Sequence, residues 1–289
     1  MEIKDLDKTQ HTRSLSSKYF MSKCSDKIKK SLDTTAWLKM NSIIQKKRNL
    51  YILDAILDNI DSVVIKVGDR DTIKKEYNIA KLLQGIDGFI KYYCYFSCNN
   101  EFKQIDINKT LCYNNGDATK ILVMKNYKLG SVGKYIWNYE NFSALQSILK
   151  QIIITLLIGF QKTGFIHNDT RLDNFLLDYI KETNIIYNNY NIPIYGLIVV
   201  IMDFENCLIA ENKEDYYFLY TGILQILNEL DYKLKLEIDN IDIIIKYIDT
   251  NRKNNTLINI NQIITYIDEL KFISKKLPPK QFVYNPTIF

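Results

Sequence analysis

The densest run of chemically capable side chains is His167-Asn168-Asp169-Thr170-Arg171-Leu172-Asp173-Asn174, set between the apolar segments 156–166 and 175–177. A loop that leaves and re-enters the core so quickly must hold its side chains in a fixed geometry. Thirty-four residues after Asp169, the apolar run VVIMDFE delivers Asp203 at the end of a strand-like segment. Two carboxylates and an amide on neighbouring rigid strand ends can hold Mg²⁺ through hard oxygen donors and orient a hydroxyl, which is what phosphoryl transfer requires. Taken singly, HND or DFE reads as an ordinary polar turn.

The elements around these residues follow from hydrophobic periodicity. Residues 51–67 alternate and then run apolar into SVVIKVG, which predicts strands; 72–83 has helical apolar spacing and stops at Gln84-Gly85. Further strands are expected at 89–97 and 121–124. Residues 145–161 are apolar nearly all round and predict a buried helix ending at Gly164, followed by strand, loop and strand through FIHNDTRLDNFLL. The Asn- and Tyr-rich stretch 181–195 reads as a β-hairpin insertion, and 197–202 as a strand. Helices are expected over about 215–230, 239–249 and 258–275, and residues 36–50 have helical spacing with a basic face. Strand-rich first part and helix-rich second part together make an α+β pattern.

In this order and spacing, HxDxxxxN followed by DF-x resembles the protein-kinase-like superfamily. The resemblance covers roughly residues 51–230. It implies a bilobal fold with a small β-rich N-lobe (51–127) and a larger helical C-lobe (128–289), preceded by a basic extension (1–50). It implies that Asp169 accepts the substrate hydroxyl proton, that Arg171 stands where protein kinases contact the γ-phosphate, and that Asn174 and Asp203 hold the metal. His167 would brace the loop. Lys66, in the strand VVIK, would pair with the α/β-phosphates and Glu76 with Lys66; Met124 would be the gatekeeper, with Lys125 and Tyr127 beside the adenine. Asp215 takes the place of the aspartate that anchors the catalytic loop from below. ATP and Mg²⁺ are the implied cofactors.

Four features depart from the protein-kinase pattern. The earliest glycine is Gly68, after Lys66, so no Gly-rich loop precedes it; Asn168 stands where an arginine is usual; Glu205 replaces the DFG glycine; and only eleven residues separate Asp203 from Asp215. The last three are similar to choline, ethanolamine and aminoglycoside kinases, whose acceptor is a small alcohol. The ordered set Lys66, Glu76, Asp169, Asn174 and Asp203 nevertheless makes a divergent, viral Ser/Thr protein kinase the first reading. A small-molecule kinase is the alternative, and a pseudokinase binding module, with the basic extension as a docking arm, is the third.

Composition bounds these readings. Of 289 residues, 47% are hydrophobic and 25% charged, which excludes wholesale disorder, and ten glycines with four prolines disfavour collagen-like and turn-dense all-β chains. Residues 1–50 carry twelve Lys/Arg against five Asp/Glu, so this stretch holds +7 of a total of +5. It reads as a solvated basic tail, with an acidic partner as the alternative; Lys46, Lys47 and Arg48 are the candidates to fold over a nucleotide in place of the missing loop. Five cysteines lack metal-site spacing, and an odd count with no signal peptide predicts reduced thiols. The longest apolar run is short of a membrane span, so a soluble, monomeric protein of the cytoplasm, or of host cytoplasm or virion, is expected.

Overall fold

A computed structural model describes residues 38–47, 50–57, 61–98, 119–187 and 190–275. Most of the basic extension, including Arg48, lies outside the described residues. The chain is an α+β protein whose first half is a five-stranded antiparallel sheet. Its strands are β1 (Leu38–Lys47), β2 (Leu50–Leu57), β3 (Asp61–Asp69), β4 (Tyr92–Cys98) and β5 (Thr119–Lys125), in the order β1-β2-β3-β5-β4. Helix α1 (Arg70–Leu82) joins β3 to β4.

Alternation assigns the two faces of the sheet. Val63, Ile65 and Val67 of β3 pack with Tyr51, Leu53, Ala55, Ile121 and Val123 in one apolar layer. Lys66, one residue out of phase, therefore projects from the opposite face, where α1 lies. On α1 the buried positions are Ile73, Glu76 and Ile79, continued by Leu83 just past its end. This is a helical stripe with one charged member.

The helical expectation for 36–50 is corrected: this segment is the edge strand β1, so the sheet begins inside the stretch read as the basic extension. Register shifts between Met40 and Ser42 and between Ile43 and Gln45 insert extra residues, break the two-residue alternation and leave apolar positions at spacings that mimic a helix.

The second half is built on α2 (Phe142–Thr163), buried along most of its length and closed by Gly164 in the left-handed conformation (φ 76°, ψ 14°), whose N–H donates to the Phe160 carbonyl at 2.7 Å. By length and apolarity α2 could cross a membrane, but 89% of its apolar window is buried inside the protein, as in the core helix of a soluble domain. After α2 come β6 (Phe165–Ile166), β7 (Phe175–Tyr179), the expected hairpin β8 (Asn184–Tyr187) and β9 (Tyr190–Pro193), β10 (Leu197–Ile201) and β11 (Leu208–Ile209). The hairpin covers α2 by packing Ile192 against Ile154 and Ile158.

Helices α3 (Tyr217–Tyr232), α4 (Ile241–Asn254) and α5 (Ile260–Asp268) follow, with β12 (Leu236–Asp239) paired to β13 (Lys271–Lys275). The helix expected to run to 275 stops at Asp268, because the following KFISK is β-branched and aromatic and finds a partner in β12. Contrary to the expectation of reduced thiols, Cys94 is disulfide-bonded; Cys207 is free and buried.

The two halves share one core. Leu122 and Met124 of the sheet, Ile73 and Ile79 of α1, and the body of α2 and α3 belong to a single buried cluster. Segment 88–90 stitches them together: Ile90 N–H donates to Ile201 O at 2.9 Å and Ile201 N–H to Gly88 O at 2.8 Å.

Candidate active site

The register of β7 with β10 builds the centre of the site. Phe175 pairs with Ile201, so the residues just beyond, Asn174 and Met202, face each other; Met202 N–H donates to Asn174 O at 3.0 Å. Asp203 is the next residue. Its backbone is left-handed (φ 64°, ψ 68°), and Asn168 across the loop is also at positive φ (55°). Two non-glycine residues in this sparsely populated region, one beside Asp169 and the other Asp203 itself, are backbone strain held in place by the surrounding structure.

Phe204 supplies part of that restraint. It is fully buried and meets Phe89, Tyr92, Phe165 and His167 edge-to-face, with ring centroids 5.6–6.2 Å away. The His167 ring, itself buried, donates from Nε2 to the Met202 carbonyl at 2.8 Å, while its Nδ1 has no hydrogen-bond partner among the described residues. Burial pushes the imidazole below the ordinary histidine value, so His167 is a neutral brace.

Lys66 reaches the same point from the sheet. Its Nζ lies 2.6 Å from Glu76 Oε2 and 2.8 Å from Asp203 Oδ1, with Glu205 Oε2 at 3.8 Å. Tyr92 Oη donates to the other Glu76 oxygen at 2.7 Å. Burial works against the ammonium, but the carboxylates of Glu76 and Asp203 more than offset it and hold Lys66 above the usual lysine range. Glu76 sits in mid-helix on α1, not at the helix start.

Asp169 and Arg171 form a fork: Arg171 Nε donates to Oδ1 at 2.7 Å and Nη2 to Oδ2 at 2.8 Å. This fork holds the Asp169 carboxyl below the usual carboxylate range. Asn174 Nδ2 donates to the Asp169 carbonyl at 2.8 Å, fixing the loop from within.

Of the residues expected to flank an adenine, Met124 is buried in β5 opposite Val64 and Tyr92. Lys125 turns away into an ion pair with Asp178 at 2.5 Å, with its Nζ 5.0 Å from the centroid of the Tyr127 ring, which is also buried. The side chains of Lys125 and Tyr127 are thus spent on packing and pairing. At the β1–β2 end of the sheet, Lys46 Nζ lies 5.4 Å from the Tyr51 ring centroid.

Asp215 does not reach the loop. It is exposed and accepts Tyr217 N–H at 3.1 Å, a local cap at the start of α3. The groups that do hold the loop are Gly222, Gln225 and Glu229 of α3 and Lys233 just past its end, none singled out by sequence. Tyr92, a tyrosine among twenty-one, has no sequence signal either, and Glu205, noted in the sequence only as a departure from glycine, turns its carboxylate toward Lys66.

Among the described residues no three His, Cys, Asp or Glu side chains cluster as a metal site. The oxygen donors present are the Asp203 carboxylate, 31% exposed, and the adjacent Asn174 amide. That set fits a hard cation such as Mg²⁺, which keeps several waters and takes one or two carboxylates plus substrate phosphates.

No family profile matches the chain. An alignment 73 positions long, which takes in 22% of the chain, is 35% identical to "Uncharacterized protein 098R" of Invertebrate iridescent virus 6 and covers 12% of that protein's length.

Proposed function

We propose that this protein is an ATP- and Mg²⁺-dependent phosphotransferase, a divergent Ser/Thr protein kinase with the two-lobed protein-kinase-like arrangement. The observation that carries the reading is the convergence of Lys66, Glu76 and Asp203 within hydrogen-bonding distance, from two halves of the chain 137 residues apart. The sheet order β1-β2-β3-β5-β4, with a helix after β3, supports the same reading.

In this mechanism Lys66 leaves Asp203 to bind the α/β-phosphates while Glu76 keeps it aimed. Asn174 and Asp203 would hold Mg²⁺, which would supply positive charge against the phosphates. Arg171 swings from Asp169 to the γ-phosphate, freeing the carboxylate. The acceptor hydroxyl gives its proton to Asp169 as its oxygen bonds to the γ-phosphorus; the bond from that phosphorus to the bridging oxygen breaks and ADP leaves.

A small alcohol as acceptor is the second reading. It is favoured by the eleven residues between Asp203 and Asp215, which form a 3₁₀ turn, the two-residue β11 and a bend before α3 begins. That is too little chain for a peptide platform.

The test is a thermal shift with ATP alone and with ATP plus Mg²⁺. A ligand that binds the folded state alone raises the melting temperature by mass action. A Mg²⁺-dependent rise, lost in Asp203→Ala, is expected. Absence of any rise at millimolar ATP would return the chain to the pseudokinase class. Transfer to free alcohols but not to protein would select the second acceptor.

A further inference from the structure

The loop that carries Asp169 is held at three points by one face of α3 and Lys233, the residue that caps its C-terminal end. Gly222, Gln225, Glu229 and Lys233 follow at intervals of three, four and four, which is one side of a helix. Thr170, 2% exposed, donates from Oγ1 to Gly222 O at 2.8 Å and lies 2.9 Å from the Gln225 side-chain amide. Gly222 lets the helix come this close: a Cβ there would meet Thr170 Cγ2 at 3.0 Å. Lys233 pairs with Asp173, which also accepts from Ser131 Oγ at 3.2 Å.

Between these two contacts, Glu229 Oε2 accepts the backbone N–H of Leu172 at 2.7 Å. Leu172 is fully buried and opens the 3₁₀ turn Leu172–Asn174, so its N–H has no partner within that turn. A buried amide without an acceptor is costly, and a carboxylate acceptor makes a stronger bond than a neutral one. The same turn ends at Asn174, whose amide holds the Asp169 carbonyl.

We infer that Glu229 is a positioning residue for the proposed transfer: by capping Leu172 it sets the height of the loop and so the placement of the Asp169 carboxylate. This rests on the phosphotransferase reading. It assigns to Glu229 the anchoring role that Asp215 does not fill.

The experiment measures ATP hydrolysis in the presence of Mg²⁺, with water as acceptor, together with hydrogen exchange at the Leu172 amide, in the full chain. Glu229→Ala is expected to lower kcat about 10²-fold, as a misplacement near 1 Å does, with KM for ATP unchanged and Leu172 exchange accelerated. Glu229→Gln, whose carbonyl still accepts, restores most of both. Glu229→Asp is one methylene short, keeps the charge, and carries the test should the alanine variant not fold; it too is expected to lose kcat. Asp215→Ala is the control and keeps wild-type kcat.

Wild-type kcat in Glu229→Asp or Glu229→Ala, or a glutamine variant as impaired as alanine, overturns the assignment while leaving the enzyme reading intact. A wild-type chain that turns over no ATP, with Leu172 still protected, removes the enzyme reading and the positioning role with it.

Discussion

Lys66 is a single cation shared by three carboxylates, and Glu76 beneath it is 2% exposed. Removing one partner of a buried pair leaves an uncompensated charge, which typically costs about 3–5 kcal/mol. Lys66→Met is therefore expected to lose stability on that order in urea titration, and adding Glu76→Gln should recover part of the loss, since a neutral amide still accepts from Tyr92. An additive double variant would mean the two side chains do not act as a pair. His167 gives a second residue-scale outcome. Its folded pKa lies below the ordinary 6.5, so below that pH the unfolded chain binds a proton the folded chain refuses. Stability then falls with acidification, by at most about 1.4 kcal/mol per pH unit, and is flat above. Asp169, depressed by Arg171, contributes stability above the ordinary 3.8 and loses it only as pH falls through its lower folded value. Glu76 acts in the opposite sense, because burial raises its carboxyl above the ordinary 4.5 and the folded chain gains stability as it takes up that proton. The histidine part between pH 6.5 and 5 is therefore read as the difference in urea midpoints between wild type and His167→Gln, which should lose the fall.

At the scale of elements, segment 88–90 seams sheet to α2, and Gly88 is its tightest point. Gly88 has φ 89°, and a Cβ there would lie 2.3 Å from Thr155 Oγ1. Gly88→Ala combines backbone strain with overpacking, each costing about 1–3 kcal/mol; Gly85→Ala, at the same φ but with nothing nearby, should show the strain alone. Comparing their melting temperatures separates the two terms. Elements also show what the sequence makes legible. The juxtaposition of Asn174 with Asp203 follows from two short apolar strands and their antiparallel register, and the position of Lys66 opposite the Val63–Ile65–Val67 face follows from strict alternation. Edge strand β1 is illegible because its two bulges scramble that alternation. Asp215 is misread because spacing alone cannot tell a residue that caps a helix from one on the face that meets the loop. Glu229 lies 57 residues from Leu172, and no local pattern announces a carboxylate bonded to a distant backbone amide.

For the whole molecule, the continuous core joining the sheet, α1, α2 and α3 predicts one cooperative unfolding transition rather than two. Trp137 is buried in the second half, with its indole N–H donating to Val132 O at 2.9 Å. In a Trp37→Phe background its fluorescence and the far-UV circular dichroism should report the same urea midpoint. An earlier fluorescence transition would mean the halves unfold separately. Charge pairs tie the halves as well, through Lys66 with Asp203 and Lys125 with Asp178, so binding beside Lys66 and Asp203 should stabilise the chain as one body.

The carboxylates around Lys66 have a consequence for covalent chemistry. An amine attacks acyl and sulfonyl electrophiles only through its free lone pair, and here that pair is tied up as an ammonium held above the ordinary lysine range. Lys66 is then among the least nucleophilic lysines of the chain, and amine-directed reagents should modify the exposed lysines of α1 and spare it. The phosphates that would replace Asp203 are anionic too and Glu76 stays in place, so Lys66 keeps its proton with the site filled or empty, and acylation at Lys66 becomes a signal of unfolding rather than of surface exposure.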